Sequence, residues 1–206
     1  DAFATGNIGS GRPAFIAVKP AGETATSRYS ETLTFDSTRR YVLHGCAGAS
    51  GWFGLEGGGA AAGSATRKPS VIVRSPVAAN PTVTSSGAGT GQLEMQGFTI
   101  EAASGATVTY TFNVARMLVK LVNTDVLSAA TGALNPGTSS DYFLRECAIG
   151  NSATKTAVLL GLAVSLIASD CFFQGFSDFT SQSGARLNAC SFQANNATQV
   201  ISIGSQ

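Results

Sequence analysis

The hydrophobic pattern of this chain consists of short alternating segments that recur along its whole length. In one of them Leu33 and Phe35 alternate with Thr32 and Thr34. A period of two is typical of a β-strand with one buried and one polar face. Similar short apolar segments lie at 14–18, 41–44, 71–73, 93–100, 107–112 and 121–127. The pattern therefore predicts many short β-strands separated by turns.

The last third of the chain repeats one motif three times. Cys147, Cys171 and Cys190 each stand two residues before a large apolar residue, and they lie 24 and 19 residues apart. Each is followed by a glycine at nearly constant distance, at Gly161, Gly184 and Gly204. A unit of roughly 20–25 residues built from short strands is typical of a β-solenoid. The sequence therefore predicts stacked coils.

The repeat also predicts a core ladder, in which side chains from successive coils stack along the inside. Its expected members are Phe98, Asp125, Cys147, Cys171 and Cys190. Stacked strands lie roughly 4.8 Å apart, so neighbouring cysteines come close enough for a disulfide. A stack of three leaves one cysteine over, however, and a ladder of small buried thiols is the favoured interpretation.

The first segments of the chain resemble a known family. The segment 16–22 (Ile-Ala-Val-Lys-Pro-Ala-Gly), the strand 32–35 and the strand 41–45 are similar to the first coil of right-handed parallel β-helices in the pectin-lyase-like superfamily. That superfamily includes pectate lyases, pectin esterases, polygalacturonases and bacteriophage tailspikes. The resemblance implies an all-β, right-handed parallel β-helix of about six to eight rungs, forming a single domain over 1–206. Because viral members are usually three-fold bundles, it also implies a homotrimer.

Two segments interrupt the regular pattern. The segment 49–69 is rich in Gly and Ala and contains Trp52, which predicts a loop excursion between two coils. The run 157–160 (Ala-Val-Leu-Leu) is apolar without alternation. Because both faces of such a strand need burial, this run indicates contact with a loop or another subunit.

Composition limits the classes of function. Charged residues make up 12% of the chain, the formal net charge is +1 and 44% of the residues are hydrophobic. The hydrophobic content argues against disorder, and the scattered basic residues predict no nucleic-acid partner. No apolar run reaches the length of a membrane span. Because the first residue is Asp rather than Met, we expect a longer or processed product.

Glu146 and Asp170 are the candidate catalytic residues. Each precedes a ladder cysteine, so both carboxylates are expected to point outward on neighbouring rungs, roughly 5 Å apart at Cα. Two carboxylates near this spacing suit a retaining glycosidase, and their repulsion would raise one pKa. The alternative is a solvated acidic column beside Arg145.

Other residue patterns point more weakly to chemistry. Trp52, Tyr110 and Tyr142 are candidate sugar-stacking residues, although packing is the commoner use of aromatic side chains. The tripeptide 123–125 (Asn-Thr-Asp) resembles the catalytic N-T-D element of polygalacturonases, but the family's other catalytic motifs are missing. The single histidine, His44, has no accompanying nucleophile motif, and without a C-x-x-C we predict neither metal nor cofactor.

The sequence leaves three functional classes open. The first is a non-enzymatic virion component, either a capsid decoration (cement) protein or part of a tail fibre or spike, whose partners are its own copies and other virion proteins. It would lie in the virion after assembly in the host cytoplasm and contact host surface polysaccharide. The second is an extracellular or cell-surface β-helix that binds or degrades polysaccharide. The third is a bacterial adhesin or surface-layer solenoid.

Overall fold

The computed structural model describes residues 14–19, 28–45, 71–151, 155–159, 165–179, 184–193 and 201–203. Within these ranges all regular structure is β-strand, arranged in three parallel sheets that stack as a right-handed parallel β-helix. The predicted fold class is therefore confirmed. The predicted loop excursion at 49–69 lies outside the described residues.

Each of the three sheets contains seven strands. Sheet A comprises β1 (Ala14–Val18), β4 (Arg40–Gly45), β7 (Gly91–Gln96), β10 (Met117–Val122), β13 (Asp141–Arg145), β16 (Ser165–Ser169) and β19 (Ala185–Asn188). Sheet B comprises β2 (Tyr29–Ser30), β5 (Val71–Arg74), β8 (Phe98–Glu101), β11 (Asp125–Val126), β14 (Ala148–Ile149), β17 (Phe172–Gln174) and β20 (Ser191–Gln193). Sheet C comprises β3 (Leu33–Asp36), β6 (Val83–Ser86), β9 (Tyr110–Asn113), β12 (Gly132–Leu134), β15 (Thr156–Leu159), β18 (Phe176–Phe179) and β21 (Ile201–Ile203).

The chain visits the sheets in the fixed order A, B, C. Coil 1 is formed by β1–β3, coil 2 by β4–β6, and so on to coil 7, formed by β19–β21. Register is kept from coil to coil: Leu93 pairs with Val119, Val119 with Tyr142, and Tyr142 with Leu166. Seven coils fall within the range of six to eight that the resemblance implied.

Alternation along each strand builds the core. In β7 every second residue is buried, so that Leu93 and Met95 face the interior while Glu94 faces outward. Inward side chains of successive coils then lie one above another. The rings of Phe173 and Phe192, which pair in coils 6 and 7, stack at a centroid distance of 5.1 Å. Burial of such apolar columns is the main driving force for the stack.

The corner between sheets A and B is a column of residues in the left-handed conformation. Asn123, Glu146, Asp170 and Ala189 have φ of 46°, 54°, 54° and 50°, and Gly97 has φ of 78°. Their backbone N–H groups continue the stack, since Asn123 donates to the Arg145 carbonyl at 2.9 Å and Glu146 to that of Ser169 at 3.0 Å. The chain therefore bends sharply at one residue per coil without losing its inter-coil hydrogen bonds.

A column of side-chain donors lies just inside this corner. Thr124 Oγ1 lies 3.0 Å from the Val122 carbonyl oxygen, and Cys147 Sγ lies 3.2 Å from that of Arg145. Cys171 and Cys190 make the same contact, each to the carbonyl two residues before it, at 3.2 and 3.4 Å. From coil 4 onward the described column carries Thr or Cys, small side chains that donate a hydrogen bond, whereas the same position in coil 3 holds the larger Phe98.

The register corrects one member of the predicted ladder. The three repeated cysteines lie in one column, because Ala148 pairs with Phe172 and Phe172 with Ser191. Phe98 lies in the same column, because Ile100 pairs with Val126 and Val126 with Ile149. Asp125 pairs with Thr99 instead, so it lies one residue further along the strand. Thr124 occupies the place expected for Asp125. The side chain of Asp125 is half-buried on the outer face, where it accepts a hydrogen bond from the Ala148 N–H at 3.2 Å.

Candidate functional site

Glu146 and Asp170 lie in the same column of neighbouring coils, at the corner between sheets A and B. Asp170 is exposed, and Glu146 Oε1 lies 3.7 Å from Arg145 Nε with both side chains well exposed. These positions are the bends of the chain rather than the floor of a groove. An exposed ion pair of this kind contributes little to stability. The two residues thus have a clear backbone role, while a catalytic role remains a prediction.

The predicted sugar-stacking residues are not available as platforms where the structure describes them. Tyr142 is fully buried, and its hydroxyl donates to the Val114 carbonyl at 2.8 Å. Burial raises the pKa of Tyr142 well above its usual value. Tyr110 is only 6% exposed, because its ring packs against the backbone of Gly132 in the next coil. Trp52 lies outside the described residues. The two described tyrosines therefore pack the β-helix.

The outer face of sheet A carries an unusual set of apolar side chains. Five large hydrophobic side chains are exposed in the described part of the chain, and four of them lie on this face: Phe15, Leu118, Phe143 and Ile167. Their exposed fractions are 62%, 37%, 37% and 39%. The alternating pattern normally places polar residues at outward positions. Outward apolar residues on one sheet are the kind of surface that a binding partner can cover.

A groove of about 280 Å³ crosses this face. Glu94 and Lys120 form its charged part, with Oε2 and Nζ 3.4 Å apart, and Gln96 and Arg145 add polar groups. Phe143 forms the apolar part. The groove thus combines an aromatic ring, an ion pair and hydrogen-bonding side chains.

A second hollow of about 370 Å³ lies where sheet B leads into sheet C. Glu101 Oε2 lies 2.7 Å from Arg74 Nη2 and 3.4 Å from Arg28 Nη1. Lys155, also in the lining, donates to the Ala129 carbonyl at 2.5 Å. These charges already pair within the chain, so the hollow is a weaker candidate than the outer face of sheet A.

The described residues contain neither a metal-binding cluster nor a membrane-spanning helix. Among them, no three His, Cys, Asp or Glu residues come together in a way that would hold a metal ion. The described part of the chain also contains no helix of the length and hydropathy needed to cross a membrane. His44 packs its ring against Phe15 at a centroid distance of 4.9 Å. This contact places the single histidine on the outer face of sheet A.

The sequence already carried a signal for this face. In β13 the pattern Asp-Tyr-Phe-Leu-Arg places Phe143 between two buried residues, Tyr142 and Leu144. Once those two are assigned to the core, Phe143 has to point outward. Leu118 and Ile167 follow the same rule in β10 and β16. What the sequence could not reveal is that these residues lie on one face, because that depends on register.

No known family model matches this sequence, and neither curated proteins nor solved structures include a significant match. The outer face of sheet A is therefore the feature from which a function is inferred.

Proposed function

We propose that this chain is a structural, non-enzymatic component of a bacteriophage or virus-like particle, as a capsid decoration protein or part of a tail fibre or spike, and that it assembles as a homotrimer. The observation that carries the proposal is the outer face of sheet A, which exposes Phe15 in coil 1 and Leu118, Phe143 and Ile167 in coils 4 to 6. An apolar surface of this kind favours assembly because water is released when it is covered.

Two further properties support a structural role. Charged residues make up only 12% of the chain, and each sheet has free strand edges only at coils 1 and 7. Few exposed edges leave little backbone available for proteases or for wrong strand pairing. The spacing of short strands and turns resembles that of pectin-lyase-like β-helices, which include tailspikes. This similarity of fold supports the virion as the location.

The mass of the purified protein in solution tests the assembly. Sedimentation equilibrium should give three times the 20.9 kDa chain mass. The variant Phe143→Lys should lower the oligomeric mass, because a charge replaces an apolar contact. Thr34→Lys, at an exposed position of β3 in sheet C, is the matched control and should remain trimeric. A wild-type protein that stays monomeric at high concentration would contradict the proposal.

The location is tested separately on purified particles. If the chain is a virion component, mass spectrometry of particles produced by the host should detect it at fixed stoichiometry. Particles that lack it under all conditions, together with its secretion as a free protein, would place it outside the virion.

The groove on sheet A favours a second candidate function, binding or degradation of polysaccharide. Phe143 offers a face for a sugar ring, and Glu94 and Lys120 offer hydrogen bonds to hydroxyl groups. A reducing-end assay on host surface polysaccharide tests the enzymatic form. Turnover that disappears in Glu146→Gln or Asp170→Asn, with the variants still folded, would replace the structural proposal by a catalytic one.

A further inference from the structure

Two columns of outward side chains run along the β-helix on either side of the corner between sheets A and B. The first, called here column A, lies on the outer face of sheet A, and the second, column B, on the outer face of sheet B. The register that defines column A runs through Val42, Glu94, Lys120, Phe143 and Ile167. That of column B runs through Ile72, Thr99, Asp125, Ala148 and Phe172.

From coil 2 to coil 6 the two columns carry side chains of compatible chemistry. In coil 4, column A presents Lys120 and column B presents Asp125, five residues later. In coil 5 the large Phe143 corresponds to the small Ala148. Coils 2 and 6 pair apolar with apolar, and coil 3 pairs a carboxylate with a hydroxyl: Val42 with Ile72, Ile167 with Phe172, and Glu94 with Thr99.

All members of column B are half-buried in the single chain, so each keeps surface that a neighbour can cover. Column A is more open, with Phe143 37% and Ile167 39% exposed. Column A, which is open and apolar in coils 5 and 6, and the half-buried column B are two different patches of the same chain, which is what a head-to-tail contact requires.

We propose that column A of one copy packs against column B of the next copy, in register, around a three-fold axis parallel to the stack of coils. The proposal deepens the proposed function and rests on its homotrimer. Rotation about such an axis keeps every coil at its own height, so coil 4 of one copy meets coil 4 of the next. Lys120 then lies opposite Asp125, and Phe143 opposite Ala148.

The corner between sheets A and B makes this contact geometrically accessible. Only two residues separate the strands there, since β13 ends at Arg145 and β14 begins at Ala148. The two outer faces therefore adjoin directly. When this corner lies nearest the axis, face A of each copy turns toward face B of its neighbour, and three identical contacts close the ring.

The arrangement has an electrostatic cost that can be measured. Glu146 and Asp170 project from the same corner, so three carboxylates of each kind approach one another near the axis. Like charges that come together on association weaken it. Arg145, 3.7 Å from Glu146, offsets the charge of Glu146 in coil 5. Neutralising Asp170 is therefore expected to tighten the trimer.

A different packing of the same face is the main competitor. In a two-fold antiparallel dimer, column A would meet its own copy, with Glu94 opposite Lys120 and Val42 opposite Phe143. That dimer does not involve column B. Substitutions in column B therefore separate the two arrangements.

The decisive experiment uses a large-for-small exchange. Ala148→Trp should block the seat of Phe143 and weaken trimer association by on the order of tenfold or more in sedimentation equilibrium. Adding Phe143→Ala to Ala148→Trp should restore most of the lost affinity, because the space removed on one column is returned on the other. Circular dichroism checks that each variant is folded. The single variant Asp170→Asn should form a tighter trimer than the wild type.

Cross-linking keeps the test independent of how well the tryptophan variant folds. Chains with Lys120→Cys are mixed with chains with Asp125→Cys, and oxidation should give a disulfide-linked pair that neither variant forms alone. A trimer that is unaffected by Ala148→Trp and gives no mixed cross-link would overturn the proposed contact and leave the trimer standing. A wild-type chain that is monomeric would instead overturn the proposed function.

Discussion

The donor column inside the corner between sheets A and B offers a sharp test of what holds the coils together. Thr124 is fully buried, and its hydroxyl lies 3.0 Å from the Val122 carbonyl and 3.3 Å from the Met95 carbonyl of the coil below. Cys147 repeats this geometry one coil later, with Sγ 3.2 Å from the Arg145 carbonyl and 3.4 Å from that of Leu121. The Thr124 hydroxyl and the Cys147 thiol thus occupy equivalent positions, each beside one carbonyl of its own coil and one of the coil below.

The expected loss of stability depends on whether the Val122 carbonyl keeps a hydrogen bond when the Thr124 hydroxyl is removed. The Val122 oxygen also accepts the Gly97 N–H at 3.2 Å, so removing the Thr124 hydroxyl does not leave it unpaired. Thr124→Val preserves the shape and should therefore cost about 1 kcal/mol of unfolding free energy, rather than the larger penalty of an orphaned polar group. For a chain of this size that corresponds to a fall of about 2–4 °C in Tm.

The matched variant is Thr124→Cys, which restores a donor of the kind that the next coil uses. It should lie within about 0.5 kcal/mol of the wild type, whereas Thr34→Val on the exposed face of sheet C should change little. Urea unfolding followed by circular dichroism, at equal protein concentration for all variants, measures the differences. If Thr124→Val is as stable as the wild type, or if Thr124→Cys has the same lowered stability as Thr124→Val, hydrogen bonding does not explain why donors occupy this column.

Three further predictions concern other layers of the stack. Tyr142→Phe should lose about 1 kcal/mol at neutral pH, because the Val114 carbonyl keeps the Gly137 N–H at 3.0 Å. The raised pKa of Tyr142 means that the folded chain holds a proton that the unfolded chain releases above pH 10.0. Stability should therefore fall as the pH rises past that value, and Tyr142→Phe should fall less steeply in alkaline urea titrations. Gly150→Ala should cost at least about 2 kcal/mol in urea unfolding, since its φ is +85° and a Cβ would meet the Gln174 carbonyl oxygen. Gly105→Ala, with φ of +65° and open space, should cost only about 1 kcal/mol, and equal losses at the two sites would show that the close approach is unimportant. Ala189→Gly should stabilise the fold by up to about 1 kcal/mol, because glycine adopts a φ of 50° without strain. Ala148→Gly, within β14, should instead destabilise the fold, and thermal unfolding measures both changes.

The sheet A face and its proposed packing against sheet B change how the candidate carboxylates are understood. Glu146 and Asp170 stand out in the sequence because each precedes a ladder cysteine. The structure shows why that position recurs, since it is the left-handed residue on which each coil turns from sheet A to sheet B. In the proposed trimer, carboxylates at this corner would influence association between copies through their charge. That influence does not require catalysis, and neutral variants separate the two roles.

The fold class could be predicted from the sequence alone, and the resemblance to pectin-lyase-like β-helices supplied the approximate number of coils. The alternation around Leu33 and Phe35, and the spacing of Cys147 and Cys171, are local or periodic features that a reader can see without coordinates. They suffice because a parallel stack repeats the same side-chain direction in every coil. The same reasoning placed Phe98 in the cysteine column, since its distance to Ile100 matches that from Cys147 to Ile149.

The register between coils, and the face on which each side chain lies, become visible only in the three-dimensional structure. Asp125 was placed in the ladder by sequence spacing, but one residue of slip gives that place to Thr124, and in a strand a slip of one residue exchanges the inner and outer faces. Tyr142 and Phe143 are adjacent aromatic residues, yet one is fully buried and the other forms part of the outer groove. Spacing along the chain is a local property, whereas the face on which a side chain lies depends on hydrogen bonds to coils more than twenty residues away.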